Sequence, residues 1–264
     1  MRPMSHAPSH SSSFVIQSGL ASRRAKNPAF RPLYQQIKEL ILRSLGAGDW
    51  PPGSMIPSEI DLAAQYGVSQ GTVRKAIDEL AAENLLVRLQ GKGTFVASHS
   101  DPNAPYRFLR LRPDDGRALE KRSQALSCAV IPADETVAGA FAIQAGDPVI
   151  AVERILCLNN EAAAFDQIFL AADSFAGLTL EMLRQEQRPF YSILEGRFGV
   201  RMIRAEEKLR AITANARVAE RLALSRGTPI LLVERTAYTY GDKVVEWRRG
   251  FYRTDRYHYA NELG

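Results

Sequence analysis

Between Ser58 and Leu80 the chain starts a helix, stops it and starts another with only three residues between them, which fixes two helices at a sharp angle. Ser58 is a capping residue whose oxygen can accept from the open N–H groups of a first turn, with Asp61 three residues on in the place of a capping-box acid. The helix it opens is predicted over Glu59 to Tyr66. Gly67 then stands where a helix most often ends in the left-handed region, Val68 returns toward the core, and Ser69 caps the next helix. In "SQGTVRKAIDEL" the apolar Val73, Ala76, Ile77 and Leu80 fall at i, i+3, i+4 and i+7, one helical stripe. The opposite side of its opening turn is polar, with Ser69, Gln70, Thr72, Arg74 and Lys75. A solvated face needs no purpose, so the flanks decide what that turn is for.

On the N-terminal side, Leu33, Ile37, Leu40, Ile41 and Leu45 mark a preceding amphipathic helix stopped by Gly46 and Gly48, and "DWPPGSMIP" forces a loop. On the C-terminal side, "LLVRLQGKGTFVA" reads as two β runs, Leu85 to Leu89 and Thr94 to Ala97, joined through Gln90, Gly91, Lys92 and Gly93. The sum is a helix-turn-helix with a cationic hairpin wing. The opening turn of its last helix suits a major groove and the wing tip suits the backbone or minor groove. Arg can pair bidentately with guanine and Gln with adenine, while the N–H groups at Gly71 and its neighbours favour phosphate. A phosphate loop at Gly91 to Thr94 is excluded, because the G-x-x-x-x-G-K-[ST] spacing is absent and two strands, rather than a strand and a helix, flank it.

Charge agrees with a polyanion partner at this end. Residues 1–98 hold 11 Lys+Arg against 7 Asp+Glu, a net +4, whereas residues 99–264 hold 23 against 22, a net +1. Residues 1–27, rich in Ser, His and Pro and without an acid, read as a flexible tail; a transit peptide would share that composition. Cys128 and Cys157 lack metal-ligand spacing and read as buried thiols of a reducing compartment. No apolar run approaches the roughly 18 residues that span a bilayer, so no membrane is expected and a cytoplasmic location is. Neither a metal nor a cofactor is implied.

After a polar linker over residues 98–106, the remainder carries a gap-free internal repeat. "AFAIQAGDPVIAVERI" from Ala140 and "RLALSRGTPILLVERT" from Arg221 align at an offset of 81. In each, a short helix is predicted to end at Gly146 or Gly227, and Pro148 or Pro229 starts a strand. Hairpins then turn at Asn159-Asn160 and Gly241-Asp242. Two helix-plus-hairpin halves predict a pseudo-twofold antiparallel sheet with its helices on one face, an α+β layer. Strand alternation puts Glu246, Arg248 and Tyr252 on one side and Trp247, Arg249 and Phe251 on the other. Arg154 shares a partly apolar face with Ile150 and Val152 and needs a partner there: either a bound ligand or an internal salt bridge, for example with Glu246.

"PPGSMIPSEIDLAAQYGVSQGTVRKAIDEL" followed by "ENLLVRLQGKGTFVA" resembles the GntR family of bacterial transcription regulators over residues 31–97. The remainder, residues 107–264, resembles the UTRA effector-binding domain of its HutC-type branch, with a chorismate-lyase-like fold, through "VERIL", "YSILEGRFGV" and "GTPILLVERTAYTYGDKVVEWRRGFYRTDRY". The resemblance implies a winged domain over residues 28–97 and DNA contacts from Thr72 and Arg74, with Ser58 opening the preceding helix and Gly91 and Lys92 at the wing tip. It also implies that Arg154, Glu246 and Tyr252 line the effector pocket, and Arg248, on the strand face of Glu246 and Tyr252, is expected to line it with them. Ile60 and Gln70 stand where many members carry arginine, and Leu156 where a second pocket arginine is often found. The expected protein is a repressor, a homodimer on an inverted-repeat double-stranded DNA operator, released by a small-molecule effector. The alternative is an enzyme of the lyase-like fold acting on a small organic acid; His6, His10 and His99 fall in tail or linker and His258 near the end of the chain, so no histidine joins the acid–base groups. RNA binding is disfavoured because no aromatic stacking platform accompanies the basic surface.

Overall fold

In the computed structural model the described residues are 31–101, 108–116, 120–186 and 188–261. The tail predicted over residues 1–27 and most of the linker lie outside them. The N-terminal module is three helices and a hairpin: α1 (Leu33–Ala47), α2 (Glu59–Tyr66), α3 (Gln70–Ala82), β1 (Leu86–Leu89) and β2 (Gly93–Val96). Ser58 accepts from the Asp61 N–H and closes the capping box, while Gly67 ends α2 at φ 65°. Ser69 caps α3 through the Thr72 N–H. Ile37, Ile41 and Leu45 of α1, Leu62 of α2 and the Val73–Ala76–Ile77–Leu80 stripe of α3 meet Ile56, Leu86 and Val96 in one core. The wing pairs Leu86 with Val96 and Leu89 with Gly93, and Met55 bridges Phe95 from its other side.

The C-terminal module continues with β3 (Leu111–Pro113), β4 (Lys121–Pro132), α4 (Glu135–Phe141), β5 (Pro148–Leu158), β6 (Glu161–Ala171), α5 (Leu180–Gln185), α6 (Phe190–Phe198), β7 (Arg204–Thr213), α7 (Ala216–Leu222), β8 (Pro229–Tyr238), β9 (Val244–Arg253) and β10 (Tyr257–Tyr259). Six strands form one antiparallel sheet in the order β4-β5-β6-β9-β8-β7. Its centre is the β6–β9 pair, so an axis there relates the two halves. Each half is strand–helix–strand–strand, longer than the predicted helix-plus-hairpin by the edge strands β4 and β7. The offset of 81 recurs in detail: Asp134 and Asn215 cap the two helices. The turns repeat the same bonds too, Gly146 N–H to the Ala133 carbonyl and Gly227 N–H to the Ala214 carbonyl.

Three expectations are corrected. The repeated helices end at Ala142 and Ala223, both left-handed at φ 55° and 50°, rather than at the glycines; Gly146 and Gly227 serve the turn that feeds each strand. The helices occupy both sheet faces. α4 and α7 pack on Phe165, Trp247 and Phe251, while α5 and α6, inserted between the halves, cover Ile150, Val152, Ile168 and Leu170 on the other side. Both cysteines lie in strands, as predicted, but are half-buried rather than buried. A further ladder, β3 with β10, closes the α6 side of the sheet through Leu111 and Tyr257.

Candidate functional site

At the start of α3, Ser69, Gln70, Gly71, Arg74 and Lys75 are exposed and Thr72 is half-buried. The Thr72 hydroxyl lies 2.9 Å from the Ser69 oxygen, so the cap engages it. Arg74 donates from Nε to Glu59 at 2.9 Å, and its Nη nitrogens have no acceptor among the described residues. Gln70 donates to the same carboxylate oxygen at 3.3 Å, and Arg88 from β1 pairs with the other at 2.8 Å. Burial opposes ionisation of Glu59, but the hydrogen bonds from Arg88, Arg74 and Gln70 outweigh it and hold the carboxyl below its ordinary range. Glu59 is therefore an anionic post on which the end of Arg74 is aimed outward. Lys75 is turned back over the Tyr34 ring, 4.0 Å from its centroid. Ser58 is exposed beside Asp61, and Gly91, Lys92 and Gly93 stand at the wing tip, with φ 70° at Gly91 and 117° at Gly93. A Cβ on Gly93 would lie 3.1 Å from the Met55 sulfur. Sequence reasoning missed Glu59 and Arg88, which meet only when β1 folds back beside α2.

On the α6 side of the large sheet lies a cavity of about 980 Å³. Arg154, Arg235, Arg248, Tyr191, Tyr252 and His99 supply polar groups to its lining, and Val152, Leu156, Phe190 and Ile193 apolar ones. The three arginines are buried, at 8%, 2% and 3% exposure, so each requires compensation. Arg248 lies against Glu246 at 2.9 Å and Asp166 at 3.4 Å. Arg235 donates to Glu207, to the Tyr191 hydroxyl and to the Phe108 carbonyl. Arg154 is different: only its Nε edge is engaged, by Asp166 at 2.8 Å. Its Nη nitrogens have no protein acceptor among the described residues. The Phe190 ring lies 4.8 Å from its guanidinium carbon. Burial pushes the Tyr252 phenol up to about 12, the Asp166 charge adding to the effect, so at neutral pH it is an uncharged O–H donor.

Of the expected pocket residues, Arg154, Arg248 and Tyr252 line the cavity. Glu246 lies behind them, accepting from the Tyr191 hydroxyl at 3.0 Å and from Arg248. Of the two readings left open for Arg154, an internal salt bridge is formed, but with Asp166 rather than with Glu246, the partner given as an example. A regular two-residue hairpin at Asn159-Asn160 would set Phe165 opposite Arg154, but a bulge at Leu156/Cys157 slips the register by one and brings Asp166 there. Arg235 was also missed, although the repeat aligns it with Arg154. His99, expected in a linker remote from the acid–base groups, instead forms part of the wall, its ring 5.5 Å from that of Tyr191.

A winged helix-turn-helix joined to a domain enclosing a polar cavity is the build of a ligand-responsive DNA-binding transcription regulator. The UTRA domain model matches residues 116–258, over half of the chain, and that of the bacterial regulatory proteins of the gntR family matches residues 33–96. The chain belongs to the GntR family, in its HutC-type branch with a C-terminal UTRA domain, a family of DNA-binding transcription regulators rather than enzymes. Its relatives include the HTH-type transcriptional repressor NagR of Bacillus subtilis, 28% identical over 88% of this chain and 96% of that protein. The histidine utilization repressor of Pseudomonas aeruginosa is 29% identical over 86% of this chain and 89% of its own. Among solved structures, the ligand-binding domain of a GntR-family regulator from Bordetella bronchiseptica is 42% identical with a TM-score of 0.59, covering 61% of this chain and all of that one. PhnF from Mycobacterium smegmatis is 25% identical with a TM-score of 0.51, over 86% and 99%. No helix among the described residues is long and apolar enough to cross a membrane.

Proposed function

We propose that this regulator is a repressor that binds an inverted-repeat operator as a homodimer and is released by a small anionic effector held in the cavity. The observation that carries the effector assignment is that the unpaired end of Arg154 and the neutral Tyr252 phenol belong to residues lining one cavity of about 980 Å³. Two donors on an apolar-backed wall fit a carboxylate or phosphate whose carbon body rests on Val152, Leu156 and Phe190. Arg248 and Glu246 hold that wall in shape, because the other buried arginines are already matched by protein acceptors.

On the DNA side, Arg74, Gln70 and Thr72 read base edges, while Ser58, Ser69, Gly71, Gly91, Lys92 and Gly93 face the sugar–phosphate backbone; Lys75, held over the Tyr34 ring, reaches a phosphate only by leaving that ring. A single such module contacts few bases, and a twofold dimer doubles the site. The effector must bind the released arrangement more tightly than the DNA-bound one to act as an inducer.

The test is a thermal-shift screen of the full chain against carboxylates and phosphate esters. At least one anion should raise the midpoint, and Arg154→Met and Tyr252→Phe should each cancel the rise. If no anion shifts the wild-type midpoint, the effector assignment fails. Selection of duplexes from a random pool should return inverted repeats whose half-site centres are about 10 base pairs, or a multiple, apart; unpaired half-sites would remove the dimer from the proposal.

A further inference from the structure

Glu195 of α6 and Arg201, which follows that helix, are 5% and 4% exposed. Their facing atoms, Glu195 Oε1 and Arg201 Nε, are 3.5 Å apart, and neither has a hydrogen-bond partner in the described structure. The other ends of both side chains are engaged, one by the winged module and the other by the segment that leaves it. Arg201 donates to the backbone carbonyls of Asn84 at 3.0 Å and Leu85 at 3.3 Å, between α3 and the wing. Glu195 Oε2 accepts from the Ser98 hydroxyl at 2.5 Å and the His99 N–H at 2.9 Å, immediately after the wing. Ile203 and Tyr240 pack against the winged-module core beside this pair, and a Cβ on Gly46 of α1 would lie 3.1 Å from that of Tyr240.

The cavity reaches the same atoms. His99 and Ser192 both line it. The Ser192 hydroxyl donates to the His99 carbonyl at 2.5 Å, and the His99 ring donates from Nε2 to the Met202 carbonyl at 3.0 Å, one residue from Arg201. Displacing the His99 ring, or the α6 turn that carries Ser192 and Glu195, therefore moves an acceptor or a donor of the pair.

We infer that the Glu195–Arg201 pair is a clamp that holds the winged module against the effector sheet, and that cavity occupancy works the clamp through His99 and Ser192. The second half rests on the proposed effector site; the clamp itself does not. A buried ion pair with its facing atoms unbonded at 3.5 Å is a contact that a small displacement can exchange for another, because both ions already carry hydrogen bonds elsewhere that keep them desolvated yet satisfied. The segment after the wing, predicted as a free linker from residue 98, accordingly begins with two tethered residues.

The chain has two tryptophans, Trp50 in the winged module and Trp247 on β9, so single-tryptophan versions made with Phe report the modules separately. In thermal unfolding of the full chain, Arg201→Met should lower the Trp50 midpoint by at least about 4–8 °C, the response of a domain of 60–100 residues to a loss of about 1 kcal/mol, while the Trp247 midpoint falls by less. Ser192→Ala, which removes only the hydroxyl on the cavity wall, should move the Trp50 midpoint in the same direction by less. Arg201→Lys keeps the charge but not the fork and should behave like Arg201→Met if the two carbonyl bonds carry the clamp. Equal falls in both midpoints would make Arg201 a structural residue of the effector domain, and an unmoved Trp50 midpoint in the Arg201 variants would remove the clamp; either result overturns the inference. A Trp50 midpoint that responds to Arg201→Met but not to Ser192→Ala would overturn the route from the cavity. No ligand enters these measurements, so their failure is distinct from failure of the anion screen.

Discussion

Replacing Asp166 with Ala isolates the electrostatics of the cavity floor. Asp166 is 1% exposed and lies 2.8 Å from Arg154 and 3.4 Å from Arg248. Each arginine attracts it by about 4 kcal/mol at an effective dielectric near 20 and a charge separation of about 4 Å, and desolvation of the three ions offsets much of that. What the substitution costs depends on what remains. Arg248 keeps Glu246, whereas Arg154 loses its only protein acceptor among the described residues. The net cost is that of one stranded buried charge, about 3–5 kcal/mol, a large share of the 5–15 kcal/mol that holds a typical domain together. In urea, followed by Trp247 fluorescence in a Trp50→Phe background, the midpoint should fall by about 1–2 M at a slope near 2.5 kcal/mol per M, with the slope unchanged. Asp166→Asn, which retains an acceptor oxygen, should fall between the variant and wild type. The pH dependence has a definite sign. Burial raises the Asp166 pKa, but Arg248 and Arg154 more than reverse this and hold it below the ordinary value of 3.8, so its stabilisation is complete above that value and is lost as the pH falls through the folded one. The gap between wild type and Asp166→Ala should therefore be constant above about pH 5 and narrow on further acidification. A midpoint change below about 0.4 M at pH 7, less than about 1 kcal/mol, would refute the assignment of Asp166 as the counter-charge of Arg154.

Three further outcomes are expected. On a selected duplex, Arg74→Ala should cost about 1–3 kcal/mol and relax preference at one base pair, whereas Lys92→Ala should weaken all sequences alike and shallow the salt dependence; a uniform loss for Arg74→Ala would reassign it to phosphate. Glu59→Gln should lower the ratio of specific to random-sequence binding, since Arg74 loses its anchor, while raising random-sequence affinity through the added net charge; competition assays giving an unchanged ratio would remove the positioning role. Gly250→Ala places a Cβ 2.5 Å from the Tyr252 ring and 2.9 Å from Asp166, so it should destabilise by about 1–3 kcal/mol and weaken binding of any anion found in the screen. Wild-type stability in that variant would mean that the Tyr252 ring can shift without loss.

The winged module was legible nearly residue for residue because its rules are local. Ser58, Gly67 and Ser69 act on backbone groups within four residues of themselves, and a 3.6-residue stripe needs no distant partner to be recognised. The repeat offset of 81 likewise exposed the pseudo-symmetry of the sheet, through Pro148 and Pro229 and the paired turn residues. It misplaced the helix ends because Ala142 and Ala223 adopt a conformation usually left to glycine, which their composition does not announce.

The sequence alone therefore determined where the helices and hairpin of the winged module lie and which side chains share a strand face in the larger domain, since helix and strand periods are properties of the backbone. Which charges neutralise one another was decided only by the tertiary structure. Arg154 meets Asp166 through a one-residue bulge, Arg74 meets Glu59 across the turn between two helices, and Arg201 meets the Asn84 carbonyl from more than a hundred residues away. Ion pairs obey distance in space, and in each case the distance is set by register, packing and chain return rather than by spacing along the chain.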